Sequence, residues 1–406
     1  MPLPRPNVRA PAFLDARAPS LRRVRRIVQA FPTQDGSAHV LIEGRRLVNF
    51  CGNDYLGLAR DPRLAAALRG ASSECGVGAG ASHLVSGHGR EHQALEEELA
   101  AFTGCERALL FSTGYMANLA AITSLAGRGD LVLLDRFSHA SLIDAALLSR
   151  ARLRRYAHRD WGAVERALER QRGAAAGEAA GAAPARLIAT DGVFSMDGDL
   201  APLPQLAAAA HARGAWLIVD DAHGLGVIGA QGRGTLEHFG LSREVGVLVG
   251  TLGKAFGTFG AFIAGSAELI ERLIQQARTY IYTTALPQPI AAATRASLAI
   301  AQRESWRRER VLALTGRFRA AAAAAGIPLL ESATPIQPVV LGTPEAAVAA
   351  SRALEQAGLW VAAIRPPTVP RDSSRLRVTL SAAHTEDEVD RLVAALAQIL
   401  AAQARA

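Results

Sequence analysis

The sequence predicts an α/β fold in which a mostly parallel sheet carries helices on both faces. Apolar runs of strand length alternate with helical runs over residues 92–264, a pattern typical of parallel sheets with covered faces. The chain has 406 residues, of which 50% are hydrophobic. It can therefore bury the core of a large domain and the core of a second, smaller one. Charged residues make up only 20%, which argues against global disorder.

The first predicted elements are an arm and a hairpin. Residues 1–35 are rich in proline and arginine and predict an N-terminal arm or a lead-in helix. Val40–Ile42 and Leu47–Phe50 are short apolar runs on either side of a Glu-Gly pair, which predicts a β-hairpin. Two helical runs, Pro62–Arg69 and His92–Thr103, then lead into the alternating series.

The alternating series defines the large domain. Its runs predict, in order, strand Arg107–Phe111, helix Tyr115–Leu125, strand Leu131–Asp135, helix Ala140–Ser149, strand Leu153–Ala157, helix Trp161–Arg172, strand Arg186–Thr190, helix Leu203–Arg213, and strands Trp216–Asp220, Val245–Leu252 and Ala261–Ala264. The stretch 173–185 is rich in alanine and glycine and predicts a loose surface connection. We expect an arm or lead-in over residues 1–45, a large domain over 46–286 and a smaller α+β C-terminal domain over 287–406.

Composition narrows the possible functions. The net charge of +8 comes from arginines that are scattered and not interleaved with aromatic residues, so we expect no nucleic-acid partner, while an acidic substrate stays compatible. The uncharged run Ala108–Gly127 contains several hydroxyl and amide side chains, and its pattern predicts a strand, a turn and a helix instead of a membrane span. We therefore expect no membrane partner. Without a signal-peptide pattern, and with cysteines only at 51, 75 and 105, we expect a cytoplasmic protein with no metal site.

The chain has a single lysine. Of its 45 Lys and Arg residues, 44 are arginine, and Lys254 is the exception. Arginine can replace lysine as a solvated charge, but it cannot supply a neutral amine that attacks a carbonyl. Lys254 follows the apolar run Val247–Val249 and a glycine-flanked turn, which favours a role in amine chemistry over a lysine left on the surface by chance.

Other polar side chains also follow predicted strands. Asp220 and His223 follow one strand, Ser138 and His139 another, and the segment Ser112–Tyr115 a third. Ligands of open α/β sheets bind at the carboxyl ends of the strands, so we expect these groups to share one site with Lys254. Individually, Asp220 could equally be a helix cap or an ion-pair partner, and each histidine could be structural.

These polar side chains at the strand ends match the groups that pyridoxal phosphate requires. That cofactor needs an amine, an acid facing its pyridine nitrogen, a phosphate cradle and groups that hold its ring. Lys254 and Asp220 supply the first two, and His139 and His223 could hold the ring. The N–H groups at the helix start near Gly114 suit a phosphate, and the hydroxyl of Thr251 could add to it.

Longer motifs in this chain resemble the α-oxoamine synthases, which are fold-type-I pyridoxal-phosphate acyltransferases. The resemblance covers residues 14–400 and rests on Asn53–Leu58, Ser138–Ser141, Asp191–Gly198, Asp220–Gly224 and Thr251–Lys254. The string Ala363–Pro370 specifically resembles the branch of that family in biotin biosynthesis. The resemblance implies a mostly parallel central sheet in a large domain, with a smaller α+β C-terminal domain.

The resemblance also implies residue roles. Lys254 would hold the cofactor covalently and Asp220 would face the pyridine nitrogen, while the other cofactor contacts would be His139, Ser195, His223, Gly114, Tyr115 and Thr251. Thr283 or Thr284 would complete the phosphate site of a neighbouring subunit, which implies a homodimer with a shared active site. The substrate contacts would be Asn53, His139, Arg377 for the amino-acid carboxylate, Thr368 for the acyl chain, and Arg22 or its rival Arg23.

The implied reaction joins L-alanine to a pimeloyl thioester, carried on coenzyme A or acyl carrier protein, with loss of carbon dioxide. Other members of the family, such as glycine C-acetyltransferase, 5-aminolevulinate synthase and serine palmitoyltransferase, use the same cofactor and are the nearest alternatives. An alternative of another class is a basic nucleic-acid-binding protein on a degenerate form of this fold.

Overall fold

The computed structural model describes residues 25–30, 38–175, 184–242 and 244–403. Both Arg22 and Arg23 lie outside the described residues, as does most of the predicted arm. Where the arm is described, Val28–Ala30 forms a strand, so the alternative of a lead-in helix is wrong there. This strand pairs antiparallel with His39–Ile42, and backbone pairing determines its conformation.

The N-terminal strands form a small sheet. Strands β1 (Val28–Ala30), β2 (His39–Ile42) and β3 (Arg45–Asn49) are consecutive antiparallel neighbours. The turn between β2 and β3 places Glu43 at φ 51° and Gly44 at φ 78°, the left-handed pair that a two-residue hairpin needs. The predicted hairpin is thereby confirmed.

The central sheet has seven strands. They are β4 (Arg107–Phe111), β5 (Leu131–Asp135), β6 (Arg152–Tyr156), β7 (Arg186–Asp191), β8 (Trp216–Asp220), β9 (Val247–Thr251) and β10 (Ala261–Gly265). Their order is β4-β10-β9-β8-β7-β5-β6, and β10 alone runs opposite to the other six strands. The predicted, mostly parallel sheet is confirmed, with strand bounds that differ from the prediction by at most two residues.

Helices cover both faces of this sheet. All five residues of β5 are buried; Leu131 and Leu133 pack into one apolar cluster, and Val132 and Leu134 into another on the opposite face. The described helices are α1 (Pro62–Cys75), α2 (Arg90–Thr103), α3 (Gly114–Leu125), α4 (Ala140–Ser149), α5 (Trp161–Ala175), α6 (Leu203–Arg213), α7 (Thr235–His238), α8 (Ala267–Gln276), α9 (Arg278–Ile281), α10 (Gln288–Arg303), α11 (Trp306–Ala324), α12 (Pro344–Gln356) and α13 (Glu386–Gln403).

The C-terminal part adds a three-stranded sheet. Strands β11 (Ile336–Gly342), β13 (Ala362–Ile364) and β14 (Ser374–Thr379) pair antiparallel in the order β11-β14-β13, while β12 (Leu359–Trp360) pairs parallel with β3. The larger apolar cluster includes residues of both this sheet and the central sheet. Arg377 of β14 donates to the carbonyl of Ser195, in the segment that follows β7. No helix among the described residues is long and apolar enough to cross a membrane.

Candidate active site

Four neighbouring strands of the central sheet end at the same edge with polar side chains. Lys254 follows β9, Asp220 ends β8, Asp191 ends β7, and His139 follows β5. The four strands are parallel and adjacent, so their carboxyl ends meet at one edge. The sequence prediction that these groups converge is consistent with this order.

The Lys254 amine is half-buried and contacts a histidine. Its Nζ lies 2.9 Å from Nε2 of His223. Burial lowers the pKa of Lys254 to about 8, although the charge of Asp220 opposes the change. A larger fraction of this amine is therefore neutral near pH 7 than in an ordinary lysine, as a nucleophile or a base requires.

Tyr55 holds the other side of the His223 ring. Tyr55 Oη lies 2.6 Å from Nδ1 of His223, and both side chains are buried. Burial raises the pKa of Tyr55 to about 12, so its hydroxyl keeps the proton. Burial, followed by the charge of Lys254, holds the pKa of His223 well below its usual range, so the ring is neutral. A hydroxyl that donates to Nδ1 leaves the ring proton on Nε2, facing Lys254.

Asp220 is a buried carboxylate held by neutral donors. Its Oδ2 accepts from Nδ2 of Asn118 at 2.6 Å, and its Oδ1 accepts from the N–H of Ala222 at 3.1 Å. Among the described residues no Lys, Arg or His nitrogen lies within 4.0 Å of it. A buried carboxylate of this kind favours a cationic ligand group such as a protonated pyridine nitrogen.

Asn118 and Ser141 link Asp220 to His139. The same Asn118 Nδ2 donates to Ser141 Oγ at 2.8 Å, and Ser141 Oγ lies 2.7 Å from His139 Nδ1. The backbone N–H of His139 donates to Asp191 Oδ2 at 3.0 Å. Partial burial lowers the pKa of His139, against the charge of Asp220. The histidine ring is thus fixed from behind while its open side faces solvent.

The start of α3 lies where the sequence predicts a phosphate cradle. Thr113 caps this helix by accepting from Met116 N–H at 3.2 Å, and the preceding N–H groups at 114 and 115 have no partner within the helix. No atom lies within 4 Å of the position that a Cβ on Gly114 would take, so this approach is open. Thr251, at the end of β9, donates to the carbonyl of Gly260 at 3.2 Å.

These residues fit pyridoxal phosphate. The amine, the unpaired carboxylate and the open helix start all lie at the same sheet edge. Two further buried polar atoms, Ser138 Oγ and Asn118 Oδ1, have no hydrogen-bond partner in the described part of the chain. Buried polar atoms without partners are rare in native proteins and indicate a missing ligand or water.

Arg377 connects the C-terminal sheet to this edge. Its Nε donates to the Ser195 carbonyl at 2.6 Å, and its terminal nitrogens donate to Asn53 Oδ1 at 3.2 and 3.3 Å. The arginine is buried, and no carboxylate lies within 4.0 Å of it among the described residues. It therefore offers a buried positive charge to a small carboxylate ligand.

A cleft opens beside His139 and Ser195. Its volume is about 610 Å³, and Thr368 lies in its wall. The other lining residues are Arg136, Phe137, Ser138, Ala140, Ile143, Arg155, Phe194, Met196, Asp197, Pro367, Val369 and Pro370. Its size lies within the range of small-molecule sites, about 300–1,000 Å³.

Some predicted residues lie outside this network. Tyr115 is 44% exposed, and its hydroxyl donates to Asp144. Thr283 and Thr284 follow α9; Thr284 forms an isolated β-bridge with Ser82, and within the described residues no hydrogen bond joins either threonine to Lys254 or His223. The sequence assigned no role to Asn118 or Tyr55. An amide side chain one turn after Gly114 was the available signal for Asn118.

A group of three histidines lies elsewhere in the chain. His83, His88 and His92 have ring nitrogens within 4.8 Å of one another. However, His92 Nδ1 accepts from Gly89 N–H at 3.0 Å, and its Nε2 contacts the Leu286 carbonyl, so both nitrogens already have partners. His83 Nδ1 lies 2.9 Å from His88 Nδ1, a hydrogen-bond distance. These contacts describe a structural cluster.

Comparisons with known proteins give matches over nearly the whole chain. Residues 45–396 match the family of class I and II aminotransferases. An 8-amino-7-oxononanoate synthase of Methylococcus capsulatus is 57% identical over 97% of this chain and 99% of its own, and one of Pseudomonas aeruginosa is 56% identical over 94% and 92%. A solved serine palmitoyltransferase of S. paucimobilis superposes with a TM-score of 0.86 at 31% identity, covering 94% of each chain.

Proposed function

Because the chain belongs to the 8-amino-7-oxononanoate synthases within the class I and II aminotransferase family, we propose that it condenses L-alanine with a pimeloyl thioester. The products are 8-amino-7-oxononanoate, carbon dioxide and the free thiol carrier, and the reaction belongs to biotin biosynthesis. Coenzyme A and acyl carrier protein both remain candidate carriers. The buried arrangement of Lys254, His223 and Asp220 argues against a nucleic-acid-binding protein on a degenerate fold.

Pyridoxal phosphate, when bound, supplies an electron sink that stabilises negative charge on the amino-acid Cα. Lys254 would hold it covalently, and Asp220 would keep its ring nitrogen protonated. His139 would support the ring face, while Ser195 and His223 would contact its substituents. Gly114, Tyr115 and Thr251 would hold its phosphate end.

The chain's own residues divide the work on the substrate. Arg377, oriented by Asn53 and the Ser195 carbonyl, would bind the carboxylate of alanine. The Lys254 amine, with its pKa lowered to about 8, is a base suited to removing the Cα proton near neutral pH. The cleft beside His139, with Thr368 in its wall, would take the acyl chain.

One structural observation supports the proposal independently of the family match. A half-buried amine of lowered pKa, an unpaired buried carboxylate and an unpaired buried arginine meet at one sheet edge. The test incubates purified, cofactor-loaded protein with L-alanine and pimeloyl-coenzyme A or pimeloyl-acyl carrier protein, and detects 8-amino-7-oxononanoate by mass spectrometry. Turnover only with glycine plus an acetyl or succinyl thioester, or only with serine plus a palmitoyl thioester, would assign the chain to another branch.

We also propose a cytoplasmic homodimer in which Thr283 or Thr284 completes the phosphate site of the neighbouring subunit. Tyr282, beside these threonines, is 71% exposed, and Phe259 is 49% exposed. In the proposed dimer the neighbouring subunit would cover these side chains. Mixing Lys254→Ala subunits with Thr283→Ala/Thr284→Ala subunits tests sharing, because hybrid dimers would regain one intact site and activity. The division into domains at residues 46–286 and 287–406 is likewise proposed.

A further inference from the structure

We infer that Arg136 and Arg155 form an anion site that binds the terminal carboxylate of the acyl substrate and so sets acyl specificity. The inference rests on the proposed function, since a pimeloyl chain ends in a carboxylate. Both arginines line the cleft that opens beside His139 and Ser195. Neither residue is among those to which the sequence assigned a role.

The fold brings the two arginines together across adjacent strands. Arg136 directly follows β5, three residues before His139, and Arg155 lies in β6, the edge strand paired with β5. A terminal nitrogen of Arg155 donates to the Arg136 carbonyl, which fixes the spacing of the two residues. Both residues are exposed to solvent at the cleft.

The positive charge of this pair is uncompensated. Within residues 25–30, 38–175, 184–242 and 244–403, no carboxylate lies within 4.0 Å of the Arg136 or Arg155 guanidinium. The cleft contains one acid, Asp197, but Asp197 already pairs with Arg375 at 2.5 Å. Two guanidinium groups thus face an open cleft, and guanidinium is the side-chain group best suited to binding a carboxylate.

The apolar walls indicate which part of the substrate the cleft takes. Phe137, Ile143, Phe194 and Val369 are among the residues that line the cleft. These side chains suit the methylene groups of an acyl chain. A chain lying in this cleft would begin at His139 and present its far end to the arginines.

The test compares acyl groups that differ in their terminal group, of which only the pimeloyl group carries a charge. Pimeloyl, monomethyl-pimeloyl and heptanoyl thioesters would be assayed with L-alanine, each on coenzyme A and on N-acetylcysteamine, which lacks phosphate. We expect Arg136→Gln and Arg155→Gln each to lower kcat/KM for pimeloyl thioesters about 10- to 100-fold on both carriers, with less than about 3-fold change for the two uncharged acyl groups. Arg136→Lys, which keeps the charge, should lose less.

Arg154→Gln is the matched control, because Arg154 is an exposed neighbour on β6 that does not line the cleft. Bound-cofactor absorbance and circular dichroism would confirm that each variant is folded and loaded. Equal losses for charged and uncharged acyl groups, or losses confined to coenzyme A esters, would overturn the inference. A wild-type protein that turns over no pimeloyl thioester would instead refute the proposed function itself.

Discussion

Tyr55 Oη lies 2.6 Å from Nδ1 of His223, whose Nε2 lies 2.9 Å from the Lys254 amine. Three buried or half-buried side chains from distant parts of the sequence therefore form one hydrogen-bonded chain. With the Tyr55 hydroxyl protonated and the imidazole neutral, a hydroxyl that donates to Nδ1 would place the ring proton of His223 on Nε2. Tyr55 acts through His223 and is a positioning residue.

Replacing Tyr55 by Phe should allow His223 to adopt both neutral tautomers. The ring volume is kept, but His223 Nδ1 loses its buried donor, at a cost of about 1–3 kcal/mol in unfolding free energy. We expect nitrogen NMR of the cofactor-free protein to show the His223 proton on Nε2 in the wild type and a mixture of tautomers in the variant. An unchanged spectrum would mean that Tyr55 only fills space.

The lowered pKa of Lys254 predicts how cofactor capture depends on pH. Capture needs the neutral amine, so its rate should rise with pH through about 8 and level off above it. The charge of Asp220 raises the pKa of Lys254, so Asp220→Asn should shift the midpoint of the capture rate to a still lower pH. Stopped-flow absorbance at a series of pH values measures both midpoints; a wild-type midpoint near 10.5, the ordinary value for lysine, would contradict the burial argument.

Substitution of Arg377 should weaken the binding of alanine more than it slows the catalytic step. Its guanidinium is buried and held by Asn53 and the Ser195 carbonyl, so Arg377→Gln removes a charge without a large change in volume. We expect the KM for alanine to rise about 10- to 100-fold while the KM for the thioester changes little. A variant with an unchanged KM for alanine would exclude Arg377 as the carboxylate ligand.

His158 predicts a pH-dependent stability. It lies 3.0 Å from Asp135 and 2.8 Å from Asp199, so it joins the loops that carry His139 and Ser195. Burial opposes protonation, but the two carboxylates raise the pKa of His158 to about 9. The folded pKa exceeds the unfolded value of about 6.5, so this stabilisation is complete below pH 6.5 and lost as the pH rises through 9.

The matching variant is His158→Gln, which keeps hydrogen-bonding groups but cannot titrate. We expect the wild-type Tm to fall between pH 7 and pH 9.5 by more than that of the variant. Thermal unfolding followed by circular dichroism in both buffers gives the comparison. Parallel declines for the two proteins would show that His158 is not charged in the folded state.

Local sequence patterns predicted most of the sheet and the reactive amine. Strands such as β5 and β8 are apolar runs buried on both faces, and burial of this kind leaves a signal in a single segment. Lys254 was identifiable because arginine replaces lysine everywhere else in the chain. The chemistry of the amine and its position after an apolar run and a glycine-flanked turn together made it distinct.

Contacts between distant segments could not be predicted in the same way. Asn118 and Asp220 are 102 residues apart in sequence, and Arg377 and Asn53 are 324 apart. Only the folded chain shows that they touch. The pairing of β1 with β2, and of β12 with β3, likewise depends on partners elsewhere in the sequence.

The most direct measurement asks whether Lys254 holds pyridoxal phosphate. Protein loaded with the cofactor would be treated with borohydride, digested and examined by peptide mass spectrometry, before and after addition of L-alanine. We expect the peptide containing Lys254 to carry one reduced pyridoxyl phosphate, and alanine to diminish this adduct by displacing the amine. A peptide that stays unmodified, or a Lys254→Ala protein that acquires the same adduct, would contradict the account.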